Sequence, residues 1–186
     1  MTHSLYYKFI LGYLVFGLLG FVTIAAVSSD MTYQFLVETK SEALYDEANL
    51  LASSYSGVYR GQYLDLDYVQ PQMEAVAKYL HSEIWIVNNR GSVIADSSHL
   101  HTASLIEGFD PTFTGNKSYN ISNYYDSFSY DVLSVSAPIT GNYRTYGYVL
   151  IHMPISEIQD TVNGFLNILY ISSGIIFGLS LIILLV

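Results

Sequence analysis

Residues 83–96 read EIWIVNNRGSVIAD, and this stretch decides the fold. Glu83–Asn88 is a β-branched and aromatic run, Asn88-Asn89-Arg90-Gly91 is a tight turn, and Ser92–Asp96 returns as its hairpin partner. Immediately upstream the period is helical. Val69, Met73, Val76, Ala77 and Leu80 form one apolar stripe, with Asp67 as the expected cap, Gln70 in capping-box position and Pro71 in the permissive first turn. Further upstream, Leu44, Ala48, Leu51 and Tyr55 recur at helical spacing, while Glu38, Glu42, Asp46 and Glu47 fill the wet side; Gly57–Asp65 breaks this helix. Downstream, Ser97–Ser129 is irregular and rich in Ser, Asn, Tyr and Gly, with one short strand expected near Ser118–Ile121. Tyr130–Pro138 then alternates, Thr140-Gly141-Asn142 turns, and Tyr146–Pro154 is the last strand. Strands joined in hairpins with helices on one face specify an α+β domain around an antiparallel sheet.

Two uncharged runs bracket that domain. Phe9–Val27 spans roughly 28 Å as a helix, about one bilayer core, and Phe165–Val186 is longer still. A signal peptide cleaved near Ala26-Val27-Ser28 is the alternative for the first run, and a buried core helix for the second; both are read as transmembrane. The organisation expected is a cytoplasmic N-terminus at 1–8, a first span at 9–27, an extracytoplasmic domain at 28–164 and a second span at 165–186. Lys8 precedes the first span, and the other six basic residues and all sixteen acids lie between Ser28 and Gly164. No Lys or Arg follows the second run, so the chain reads as cut from something longer. Ile155–Asn163 leads into that run as helix. Joined to the first span, the upstream helix makes one rod from Phe9 to Tyr55, along which a parallel homodimer is expected.

Composition removes several classes of function. The 186 residues carry a net charge of −9 and no cysteine. Disulfides, thiolate metal sites and a thiol nucleophile are therefore excluded, and there is no basic face for nucleic acid. No catalytic motif is present, so the chain is read as non-enzymatic, and no cofactor is expected. His99-Leu100-His101 beside Asp96 offers a candidate metal or pH-sensing pair, against the plainer reading of solvated loop histidines. Asp65 and Asp67 offer another cation pair, although Asp67 has a use as a cap. Asn116-Lys117-Ser118 and Asn120-Ile121-Ser122 match the glycosylation sequon, a pattern frequent by chance. Gly174 and Gly178 form a small-xxx-small pair that permits close helix approach.

The segments SLYYKFILGYLVFGLLG, ALYDEANLLASSY, IWIVNNRGSVIADSS and SVSAPITGN…YGYVLIHMPISEIQ together resemble the input half of a bacterial membrane sensor histidine kinase of two-component systems, with a single Cache (PAS-like, PDC) domain. The resemblance implies a central antiparallel sheet backed by the long helix, a homodimer, and HAMP and kinase regions after the second span. A cognate response regulator would be reached only through that absent kinase region. Chemoreceptors and cyclase-type receptors use the same domain, and a membrane-anchored interaction protein without a ligand is the further alternative. The family's carboxylate-binding pattern, an Arg in the pocket helix with a downstream Asp-x-Gly, does not map onto this chain.

Alternation along the last two strands places a candidate ligand site. Leu133, Val135, Ala137, Val149, Ile151 and Met153 make wholly apolar sides that should meet the long helix. The mixed sides, with Tyr130, Ser134, Ser136, Tyr148 and His152, should face the tyrosine-rich connection, as the resemblance also implies, and bind a small extracellular polar molecule there. A solvated sheet face is the alternative. Trp85 joins one side or the other, the hairpin register leaving both open.

Overall fold

The computed structural model describes residues 2–57, 59–60, 63–114 and 118–185, with the side chains of 2–6, 59–60, 63 and 184–185 left aside. The sequon at Asn116 and the terminal Val186 lie outside the described residues. In chain order the elements are α1 Thr2–Ser56, β1 Tyr59–Arg60, β2 Tyr63–Leu64, α2 Leu66–Leu80, β3 Glu83–Asn88, β4 Val93–Asp96, β5 Asn120–Ser122, β6 Val132–Gly141, β7 Arg144–Pro154 and α3 Ile155–Leu185. The chain divides into two compact units, Val37–Glu157, and Met1–Leu36 with Ile158–Val186.

In the first of these units, five strands form one antiparallel sheet in the order β4-β3-β7-β6-β5. Both of its faces are buried. Ile84, Ile86, Leu133, Val135, Ala137, Val149, Ile151 and Met153 are all at most 3% exposed and share one face. The buried helical stripes of this unit supply the apolar surface for it: Leu44, Ala48, Leu51 and Tyr55 on α1, and Val69, Met73 and Ala77 on α2. The other face packs against the 97–129 connection. The fold is thus the expected α+β arrangement, an antiparallel sheet with the long helix among its elements.

Local details depart from the sequence reading for identifiable reasons. The cap of α2 is Asp65 and not Asp67, and no side chain bonds the helix start; Asp67 sits in the first turn and Pro71 inside the helix. Gln70 does not close a capping box, because its amide donates instead to Glu74 Oε1 and to the Asp96 carbonyl, each at 2.9 Å. The segment between α1 and α2 holds the two-residue strands β1 and β2, paired antiparallel. β6 and β7 run on to Gly141 and Arg144, because Asn142 and Tyr143 both adopt positive φ, 50° and 62°, as a two-residue hairpin turn needs.

The second unit holds helices long and apolar enough to cross a membrane. Most of their large apolar side chains face outward, among them Phe16 at 78% and Ile183 at 78% exposure. Inside it, Tyr13 stacks on Phe177 with ring centroids 5.6 Å apart, Phe21 meets Tyr170 at 5.7 Å, and the Tyr13 hydroxyl donates to Ser180 Oγ. The close helix approach falls at Gly17, where a Cβ would run into the Phe177 ring. Gly174 and Gly178 have open space beside them, so any helix they admit comes from outside the chain.

One glycine in the sheet is dictated by a close approach. Gly147 on β7 lies between Asn88 and Ile139, and a Cβ there would collide with the Val87 carbonyl. Gly147→Ala should destabilise the detergent-solubilised chain by about 1–3 kcal/mol, read as a lowered Tm. Gly164→Ala, in a helix with nothing nearby, should raise stability by up to about 1 kcal/mol. Equal Tm values for the two variants would mean that β3 and β7 can part at Gly147.

Candidate functional site

Strand register brings two rows of side chains onto one face. One row runs Glu83–His152–Ser134–Asn120, and the next runs Asp96–Trp85–Leu150–Ser136. A register shift between Ile86 and Val87 sets Val93 opposite Val87 and keeps Asp96 opposite Trp85, so both belong to this face. Trp85 therefore faces the connection: it packs with Val87, Val93, Ile106, Tyr124, Phe128, Val132 and Leu150, flanked by Phe109, Phe113 and Tyr148.

Two histidines are embedded in these aromatic rings. His152 has ring centroids 4.5 Å from Trp85, 4.3 Å from Tyr124 and 5.3 Å from Phe128. His101 lies 4.6 Å from Trp85 and 5.8 Å from Phe128. Ser134 Oγ is 2.8 Å from His152 Nδ1, and both residues are fully buried. Either tautomer leaves His152 Nε2 alone.

Four buried polar atoms here have no hydrogen-bond partner: Trp85 Nε1, Tyr124 Oη, His101 Nδ1 and His152 Nε2. Buried polar groups are almost always satisfied, and each one that is not costs about 1–3 kcal/mol. All four gather in one aromatic cluster. Burial, helped by the charge of His101, pushes the His152 pKa down to about 3, so the ring is neutral. Burial likewise drives the Tyr124 phenol upward, keeping it protonated.

The rim is acidic. Asp96 is fully buried at the end of β4, and its carboxylate organises the loop that follows. Its Oδ1 accepts from Ser98 N at 2.8 Å and Ser98 Oγ at 3.0 Å; its Oδ2 accepts from Ser98 Oγ and His101 N, both at 2.8 Å. His101 Nδ1 stands 3.5 Å from Asp96 Oδ2 and 3.9 Å from Glu83 Oε2, near enough for ion pairing but without hydrogen-bond geometry. Glu83, Asp96 and His101 could thus hold a metal ion by proximity. With three donors, Ser98 N, Ser98 Oγ and His101 N, already on the Asp96 oxygens, however, a metal would have to dismantle the loop. His99 takes no part: its Nε2 is 2.9 Å from Glu74 Oε1 on α2.

The connection reaches the cluster through an unusual turn. Tyr124, Tyr125 and Asp126 all have positive φ, 47°, 53° and 57°. Left-handed conformation costs a non-glycine residue about 1–2 kcal/mol. Local bonds hold the turn: Asn123 Nδ2 donates to Asp126 Oδ1 at 2.6 Å, and Phe128 N donates to the Asn123 carbonyl at 3.1 Å. It carries Tyr124 inward, where the side chain is 1% exposed.

Of the residues singled out in the sequence, Ser134 and His152 lie in the cluster, and Tyr148 packs on its edge, 5.9 Å from Phe109. Ser136 is half-buried beside Leu150. Tyr130 is 48% exposed at the rim, 5.7 Å from Phe128 and near enough to Glu83 for that charge to help raise its phenol pKa. Sequence reasoning did not find Glu83, Tyr124 or Phe128, and noticed Asp96 and His101 only as part of a metal or pH-sensing pair with His99. No local signal marks them, since each joins the site through register or through the turn.

No family model matches the chain, and no curated protein matches it by sequence. Solved structures do. The Escherichia coli DcuS sensor domain superposes with a TM-score of 0.52 at 23% identity, covering 72% of this chain and 98% of that one. The Campylobacter jejuni chemoreceptor Tlp3 sensory domain with isoleucine bound gives 0.51 at 14% identity, covering 82% and 65%. The Tlp3 ligand-binding domain in complex with L-valine gives 0.50 at 14%, covering 82% and 66%. These likenesses place the fold among the Cache/PAS-like sensor domains.

Burial of neutral His152 has a pH signature. The unfolded chain takes up a proton near the ordinary pKa of 6.5, whereas the folded ring does so only near 3. Stability is therefore lost as pH falls from about 6.5 toward 3, at up to about 1.4 kcal/mol per pH unit from this group. His152→Gln should show a shallower acid-side decline of denaturation midpoint than the parent. Identical slopes would mean that His152 is charged in the folded protein.

Proposed function

We propose that the chain is the ligand-sensing input module of a transmembrane signalling receptor, the sensor of a two-component histidine kinase whose HAMP and kinase regions follow it. The chain itself catalyses nothing in this reading; residues 28–164 lie outside the cytoplasm of a bacterium, and the receptor works as a homodimer. The observation that carries it is the group of unpartnered polar atoms buried between sheet and connection. The place suits a small molecule: a mostly apolar site with a few convergent polar groups. DcuS and Tlp3, which share the fold, are named as sensor domains, and Tlp3 is seen with isoleucine and with L-valine.

In this reading a ligand satisfies the buried donors and shifts the strained turn at Tyr124, and β7 passes the change to α3. Pro154 ends β7 and Ile155 opens α3 with no residue between them. A ligand shifts the receptor only by its difference in affinity for the two states. A chemoreceptor sensor is the second reading, favoured by the likeness to Tlp3, and the sequence that follows Val186 in the gene separates the two.

Thermal-shift screening of the full chain in detergent against amino acids and small carboxylates, amines and sugars should give stabilising compounds. Affinity for a hit should fall at least tenfold in His152→Ala and Ser134→Ala and stay unchanged in His99→Ala. Equal affinity in all three variants would move the site elsewhere. Topology follows from cysteine placement, since the protein has none. An impermeant thiol reagent should label Asn142→Cys in intact cells and spare Ser4→Cys; the reverse pattern would invert the topology.

A further inference from the structure

We propose that the cluster takes a small organic cation, an amine or quaternary ammonium bearing one hydrogen-bonding group, and not a free carboxylate. This deepens the ligand-sensing reading of the same site and rests on it. Three features point the same way.

The first is charge. The ionisable groups at the rim are Glu83 and Asp96, with His101 between them. Among the described residues, neither acid pairs with a lysine or arginine, and the ion pairs in this region are all to histidine. Lys78 lies in the neighbouring groove that Glu74, Glu83 and Ser98 also line, without pairing to Glu83. Among the described residues, a carboxylate entering here would meet two acids and no fixed positive charge.

The second is the lining. Trp85, Tyr124 and Phe128 surround His152 with tilted and edge-on ring contacts, and Trp85 and Phe128 stack on each other, 13° apart at 5.3 Å. Aromatic faces attract organic cations through their quadrupoles, tryptophan most strongly. Glu83 is the acid free to respond: its side chain is a quarter exposed and it accepts one weak bond, from Ser98 Oγ at 3.3 Å, whereas Asp96 is saturated.

The third is polarity at depth. Trp85 Nε1 only donates, and it stands unpartnered with Tyr124 Oη and His152 Nε2 on residues at most 1% exposed. Trp85 Nε1 needs an acceptor, and a hydroxyl on the same ligand supplies it while also pairing with Tyr124 Oη or, in either tautomer, His152 Nε2. The cation then sits toward Glu83 and Tyr130, and the acceptor points inward.

Trp85 is the single tryptophan, so its emission reports on the site directly. The full chain in detergent is titrated with choline, ethanolamine, succinate and 3,3-dimethylbutan-1-ol, the uncharged isostere of choline. Choline or ethanolamine should change Trp85 emission saturably. For choline, the isostere should bind roughly tenfold more weakly. Glu83→Gln, with its fold checked by circular dichroism, should weaken the amine roughly tenfold. Trp85→Phe, followed by calorimetry, should weaken it less than Trp85→Ala, because the ring face remains. Silence from both amines overturns the cation class, as does an isostere equal to choline. Succinate binding that His152→Ala abolishes overturns the cation class while leaving the sensing reading intact.

Discussion

A fully buried histidine on the central strand is the constraint around which this domain is arranged. Alternation on β7 sends Val149, Ile151 and Met153 to one face and Tyr148, Leu150 and His152 to the other. Burying an imidazole among aromatic rings forbids its charge, and one ring nitrogen is satisfied by Ser134 from β6. Everything over that face must then tolerate a neutral polar edge pointing into it. Around His152 the connection does so with the rings of His101, Tyr124 and Phe128.

The turn at Tyr124–Asp126 is the complementary element. Left-handed backbone in three successive non-glycine residues persists only where the surroundings over-determine it. Here the surroundings are a short Asn123–Asp126 clasp and a phenol ring wedged against His152 and Phe113. Strain and unsatisfied polarity thus meet in one residue, Tyr124.

The architecture was legible in the sequence because its signals are local. Period-2 alternation, the Asn-Arg-Gly turn and the long helical stripe each sit within a few residues, so the sheet and the division of its faces could be read off. The site was legible only in part. Ser134 and His152 lie on strands whose alternation is plain. Glu83 and Asp96 enter through cross-strand register, and the register of β3 with β4 shifts at Ile86–Val87, which no local pattern announces. Tyr124 comes from left-handed backbone that tyrosine rarely adopts, and Phe128 follows two residues after that turn. The histidine pair at 99 and 101 looked like one unit and is two: positive φ at His99 turns its ring toward α2 and sends His101 to the sheet.

The absence of any linker between β7 and α3 limits what kind of message can leave the domain. β7 is laddered on both sides, to β3 over six residues and to β6 over ten. A slip of one residue along those ladders would exchange its two faces and expel His152 and Leu150 alike. A displacement of β7 that keeps both ladders therefore stays below about 3.3 Å, the rise of one strand residue. In the proposed receptor the pleat of the sheet would set the stroke: small tilts of β7 leave its ladders intact, and a full one-residue slip does not.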